Sequence, residues 1–141
     1  MNRYSYAASL EPALEGGYIV TFRDLSEAIT QGETLEDSLI EASDCLAEAI
    51  AARIDDGSEI PEPSEMRPGE YRVAVPLHIA LKAALYLALK ETEVAKVQLG
   101  ERLGKDEKEI RRILSPHHGT KVSTIEKALR ALGKYPELHL H

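Results

Sequence analysis

The sequence predicts an α+β fold in two parts: an N-terminal β-β-β-α-β domain over residues 1–75 and an all-α domain over residues 76–141. Three observations predict it. Apolar residues alternate with a period of two in short stretches up to residue 31 and again at 71–75, whereas the stretch after Thr34 and the chain after Pro76 step by three or four. Charge divides the chain as well: residues 1–65 hold three bases against fifteen acids, a net of −12, and residues 66–141 hold fourteen bases against nine acids, a net of +5. A proline-rich stretch, SEIPEPSEMRPGE, lies near the division. The acidic part should repel nucleic acid and attract basic partners, and the basic part the reverse, so the overall charge of −7 does not exclude DNA binding.

Taken in order, YSYAASL (4–10) places Tyr4, Tyr6, Ala8 and Leu10 on one face, which predicts a half-buried strand. EPALEGG follows as a turn. GYIVTF and AITQ read as second and third strands, near enough in sequence to form an antiparallel meander. Thr34 is a helix N-cap, with Glu36 and Asp37 favourable at the positive end of the helix dipole. The helix is expected to run to about Ile54, burying Leu35, Leu39, Ala42, Leu46, Ile50 and Ile54. Asp37, Glu41, Asp44 and Glu48 repeat the same step, offset by about 200°, and form an acidic stripe facing away from the sheet. YRVAV (71–75) returns as a strand.

Several function classes recede on composition. The single Cys45 forms no internal disulfide and fits a reducing, cytoplasmic setting, as a small apolar helix residue rather than a nucleophile. Arg3 is followed by a strand pattern, so no signal peptide is expected, and LHIALKAALYLAL is too short, and interrupted by Lys82, to span a membrane. The adjacent His117 and His118 have poor geometry for one metal, and no cofactor is expected.

The most informative stretch is VAKVQLGERLGKDEKEIRRILS (94–115). Leu99 and Leu103 lie one turn apart on a first helix, and Gly100 is small where a second must approach. Gly104 supplies the sharp turn. Asp106 with Glu109 forms a D-x-x-E capping pair, and Ile110, Ile113 and Leu114 bury the inner face of the next helix. This spacing is the helix-turn-helix pattern, whose second helix enters the DNA major groove. Lys108 and Arg111 lie off the apolar stripe and suit base edges; Arg112, Lys105 and Gln98 suit phosphates; Glu107 suits either a cytosine amino group or a weakening of non-specific binding. Ser123 and Glu126 predict a further capping box, and the terminal ELHLH alternates like a short strand able to pair with a second copy.

These segments, in this order, resemble the HicB antitoxin family in its helix-turn-helix version, over nearly the whole chain. The resemblance rests on EGGYIVTFRDLSEAITQGETLEDSL, on I-P-x-P-S at 60–64, on VPLHIALKAALYLAL and on LGERLGKDEKEIRRILSPHHGTKVSTIEKALRALGK. It implies a partly degraded RNase H-like N-terminal fold and a small basic partner, a HicA-type mRNA interferase toxin. It also implies that the C-terminal domain binds operator DNA of its own operon as a dimer or higher oligomer. Candidate toxin contacts are Tyr18, Asp24, Glu27, Asp37, Glu41, Asp44 and Glu48. The chain departs from the family at the recognition helix, where KDEKE is unusually acidic.

Two other functions fit the residues less well. A metal-dependent nuclease needs converging carboxylates; Asp24 is a candidate, but the first strand carries no acid and residues 1–65 no His. A ligand-sensing regulator needs a phosphate-cradling loop or polar pocket, and the sequence supplies neither.

Overall fold

Four antiparallel strands, in the order β3-β2-β1-β4, form the sheet of the N-terminal unit in the computed structural model, which describes residues 3–141. The strands are β1 (Ser5–Pro12), β2 (Tyr18–Phe22), β3 (Ile29–Gly32) and β4 (Tyr71–Ala74). The register Ala8↔Phe22, Leu10↔Val20 and Tyr6↔Val73 aligns the apolar alternation of the three strands, so Tyr6, Ala8, Val20, Phe22 and Val73 are all buried. Helix α1 (Leu35–Asp56) packs on the sheet, buries Ala42, Leu46, Ile50 and Ile54, and lies nearest β3. Thr34 caps it, its Oγ1 accepting from the Asp37 amide at 3.0 Å, and Gly57 in the left-handed region closes its far end.

Close packing explains Gly32 of the TQGET stretch and Gly17 of the EGG stretch. A Cβ on Gly32 would lie 2.5 Å from Ser38 Oγ and 2.6 Å from Ser38 Cα, so only glycine lets β3 meet the first turn of α1. Gly17, at φ +74, lies equally close to the Gly32 carbonyl. That approach is why Ser38, rather than Leu35, occupies the buried face: Leu35 is exposed, contrary to the sequence expectation, and Leu39 is only partly covered.

β1 differs from expectation too. Ser5 to Ala8 are all buried, so the strand is covered on both faces rather than half-buried. The proline-rich stretch is the reason, since Pro63, Ser64, Glu65 and Met66 close a cavity with Ser5, Tyr6 and Ala7. Three prolines interrupt its amide donors and it has no ladder partner, so side chains in and beside the sheet and on α1 hold it instead. Arg3 donates to Ile60 O and Pro61 O, both at 2.7 Å; Tyr6 donates to Pro61 O at 2.5 Å; Arg53 donates to Glu59 O at 2.7 Å; and Arg23 donates to Glu65 O. Arg23 also grips Glu70 through two hydrogen bonds, at 2.8 and 3.1 Å.

The chain divides into two compact units, Met1–Ala80 and Leu81–His141, and the division falls within α2 (Leu77–Thr92), a turn beyond Pro76. The second unit adds α3 (Lys96–Leu103), α4 (Glu107–Leu114) and α5 (Val122–Ala131). Its core joins Leu85 and Ala88 of α2, Leu99 of α3, Ile110 and Ile113 of α4, and Ile125, Ala128 and Leu129 of α5. The expected Ser123–Glu126 capping box is absent. Lys121 precedes the first turn without a side-chain cap, and Ser123 sits one residue inside the helix, past the capping position. Residues 134–141 take no regular structure, and Tyr135, Leu138 and Leu140 are exposed.

Two outcomes follow from this packing. Gly32→Ala should cost about 1–3 kcal/mol in equilibrium urea unfolding, because backbone must move to admit the methyl; a cost under about 0.5 kcal/mol would contradict the close approach. Hydrogen bonding from Arg23 lowers the Glu70 pKa. A carboxyl with a depressed folded pKa stabilises fully above the ordinary carboxylate range and loses that stabilisation as pH falls through the folded pKa. Glu70→Gln should therefore lower the urea midpoint at pH 7, with the deficit closing below about pH 4; a deficit constant with pH would count against the ion pair.

Candidate protein and nucleic-acid interfaces

Asp24 just beyond β2 invites a catalytic reading, but its carboxylate is already engaged. Ser64 donates to it twice, from its amide at 2.8 Å and its hydroxyl at 2.5 Å, so Asp24 pins the I-P-E-P-S stretch to the sheet end. Glu27 is engaged too. Arg53 donates to both its oxygens, at 2.6 and 2.9 Å, and these hydrogen bonds lower its pKa. Among the described residues, no three His, Cys, Asp or Glu side chains converge as a metal site. Cys45 is half-buried rather than a core residue, and burial raises its thiol pKa, which disfavours a reactive thiolate.

The acids of α1 face outward. Asp37, Glu41, Asp44 and Glu48 are exposed along α1, and Ile40 shares their face at helical spacing, 56% exposed. Asp37, Ile40 and Glu41 form one wall of an open groove of about 850 Å³. The β1–β2 turn, Ala13 to Gly17, and the strand residues Tyr18, Ile19 and Gln31 complete it with Glu33. Its carboxylates are Glu15, Glu33, Asp37 and Glu41, with no Lys, Arg or His in the lining. Leu14 at the turn tip is fully exposed, and Ile19 and Ile40 are also open to solvent. Exposed apolar side chains beside a field of one charge sign are the makeup of a protein-docking surface.

Of the candidate toxin contacts read from the sequence, Tyr18, Asp37 and Glu41 line this groove, and Leu14, Glu15, Ile19, Glu33 and Ile40 of its lining were not among them. A leucine at a turn tip and an isoleucine inside an acidic stripe are the signals that point to them. Asp24 and Glu27 lie outside the groove lining, and Asp44 and Glu48 extend the acidic stripe beyond it.

In the second unit, α3 and α4 meet through a three-residue turn. Gly104 takes the left-handed conformation at φ +66, with the Lys105 amide donating to Gly100 O at 2.9 Å. A Cβ on Gly100 would lie 2.9 Å from Lys105 O and 3.4 Å from Ile110 Cγ1, so the glycine admits the incoming helix. Asp106 caps α4, accepting from the Glu109 amide at 2.8 Å. Ile110 and Ile113 turn inward, leaving Lys105, Glu107, Lys108, Arg111 and Arg112 exposed. Gln98 is exposed but structurally occupied, its side-chain oxygen accepting from the Ala95 amide at 2.9 Å as a cap for α3. The last turn of α4 rests on a buried lysine. Lys82 of α2, 4% exposed, donates to Ile113 O and Thr120 Oγ1, each at 2.7 Å, and to Arg112 O at 3.2 Å.

No helix among the described residues is long and apolar enough to cross a membrane. Residues 5–84 match the family model described as HicB_like antitoxin of bacterial toxin-antitoxin system. The chain is 40% identical over 129 residues to Antitoxin HicB of Escherichia coli K12, covering 92% of this chain and 94% of that protein. It is 43% identical over 124 residues to Antitoxin HicB 2 of Photorhabdus laumondii, covering 88% of each, and 38% identical over 128 residues to Antitoxin HicB 1 of the same organism, covering 91% of this chain and 81% of that one. A family match over more than half the chain and relatives this similar along nearly all of it lead to one conclusion: the chain belongs to the HicB-like antitoxins of bacterial toxin–antitoxin systems.

Proposed function

We propose that this protein is an antitoxin that neutralises a small basic mRNA interferase of the HicA type and represses its own operon by binding operator DNA, without catalytic activity of its own. The groove between the β1–β2 turn and α1 carries the first half of this reading. Four carboxylates and no base surround exposed Leu14, Ile19 and Ile40, which suits a cationic protein that brings apolar side chains of its own. Such a field speeds encounter with a basic partner, and the apolar centre then supplies holding energy. Asp37 and Glu41 are the acids assigned to contact the toxin, with Tyr18 on the opposite wall; Asp44 and Glu48 act by steering. Asp24 and Glu27 shape the domain instead, since Ser64 and Arg53 already take their oxygens.

The α3-turn-α4 unit supports the second half. It is read as a helix-turn-helix with α4 as the recognition helix, Lys108 and Arg111 toward base edges, and Lys105 and Arg112 toward phosphate. Glu107 at the α4 start discourages non-specific phosphate contact. Palindromic operators match two-fold symmetric proteins, so a homodimer is the expected DNA-binding species.

Two variants test the halves separately. Asp37→Lys with Glu41→Lys should weaken toxin binding at least tenfold at low salt, roughly the scale of losing charge complementarity at an interface. The same double change should leave operator binding intact. Toxin affinity equal to the wild type would exclude the groove, and a matching loss in Asp24→Asn with a folded domain would relocate the interface. Arg111→Ala should weaken operator binding in a gel-shift titration and reduce the salt slope by about one; unchanged retention would remove Arg111 from the DNA contact.

A further inference from the structure

We propose that Lys82 is a positioning residue for DNA recognition: its ammonium ties the last turn of the recognition helix to α2 and to the α4–α5 loop, and so sets how α4 is presented. The inference rests on the reading of α4 as the DNA-contacting helix. Three acceptors converge on one buried amine. Ile113 O and Arg112 O belong to the last turn of α4, where carbonyls lack amide partners within the helix, and Thr120 Oγ1 belongs to the following loop. The Ser115 amide satisfies Arg111 O at 3.0 Å and reaches Arg112 O at 3.3 Å, but Ile113 O depends on the lysine among the described hydrogen bonds.

A cation at a helix C-terminus is favoured by the helix dipole, and at 4% exposure water cannot substitute for it. α4 is only eight residues long, and Ile110 and Ile113 anchor its inner face in the core. Asp106 caps its first turn from within the helix, whereas Lys82 ties its last turn to another helix and to a loop. Arg111 and Arg112 lie in that same last turn, so a change at Lys82 reaches the DNA-facing side chains without Lys82 itself touching DNA.

The clamp also has a working range. Burial lowers the Lys82 pKa to about 8. The charged or titratable side chains nearest it and its acceptors along the chain are His78 and Tyr86 on α2, Glu109, Arg111 and Arg112 on α4, and His117, His118 and Lys121 in and beside the loop. If the charged clamp is the binding-competent form, apparent affinity follows its population: nearly full at pH 7 and about a tenth at pH 9 for a pKa of about 8. Affinity is therefore lost as pH rises.

Fluorescence anisotropy on the full chain, with a labelled duplex carrying the operon's own upstream sequence, tests this at constant salt from pH 7 to 9. The wild type should lose up to about tenfold in affinity over that range. Lys82→Met should bind more weakly than the wild type at pH 7, with a flat profile and an unfolding transition showing that it is folded. Where Lys82→Met does not fold, Thr120→Val keeps the amine but removes one acceptor, and should shift the wild-type profile to lower pH. A flat wild-type profile, or a profile that Lys82→Met or Thr120→Val leaves unchanged, would overturn the inference while leaving DNA binding standing. Absence of operator binding by the wild type at pH 7 would overturn both.

Discussion

The docking of the proline-rich stretch onto the sheet is the constraint on which the N-terminal unit depends. Pro61 and Pro63 remove two amide donors at alternate positions of residues 59–65, which interrupts any strand ladder, and the stretch pairs with no strand of the sheet. Arginine supplies the missing donors: Arg3, Arg23 and Arg53 each reach a carbonyl between Glu59 and Glu65, and Asp24 takes the amide and hydroxyl of Ser64. These are all the bases of residues 1–65. Their use within the fold has an electrostatic consequence, because no base of that region is left to neutralise the acids on the exposed side of α1. The clamp and the acidic groove are two sides of one allocation of charge.

That allocation also gives the Asp24 stretch a structural role. An aspartate beyond a strand end is a sound place for a catalytic carboxylate, yet here both its oxygens serve a serine 40 residues away in sequence. The Phe-Arg-Asp-Leu and Ile-Pro-Glu-Pro-Ser segments are halves of one contact. Similarly, Gly17, Gly32 and Ser38 belong to one close approach between a turn, a strand end and a helix start.

Much of this was legible in the sequence because it is local. Period-two and period-three patterns located the four strands and α1, and Thr34, Gly104 and Asp106 announced their helix ends by chemistry that acts within four residues. What was not legible depends on partners distant in the chain. β1 reads as half-buried by alternation, but a segment some 55 residues later covers its start. Leu35 fits the apolar stripe, but Gly32 brings Ser38 to the sheet in its place. Ser123 has the right spacing to Glu126 but enters the helix one residue too far along. The groove was half visible: an acidic stripe is readable by helical arithmetic, whereas the turn tip that makes its other wall is not. Lys82 shows the limit most plainly, since a lysine in an apolar helix gives no sign of the three acceptors that gather on it.

The central claim is that two separate faces carry two separate partners, the groove of the first unit a basic toxin and α4 of the second operator DNA. Hydrogen–deuterium exchange on the full chain, alone and with each partner, measures this most directly. Toxin should slow exchange in the β1–β2 turn and the first turns of α1, residues 12–19 and 31–41, and leave residues 105–115 unchanged. Operator DNA should do the reverse. Toxin protection centred on α4, or on Asp24 and Ser64 with the groove unaffected, would contradict the account.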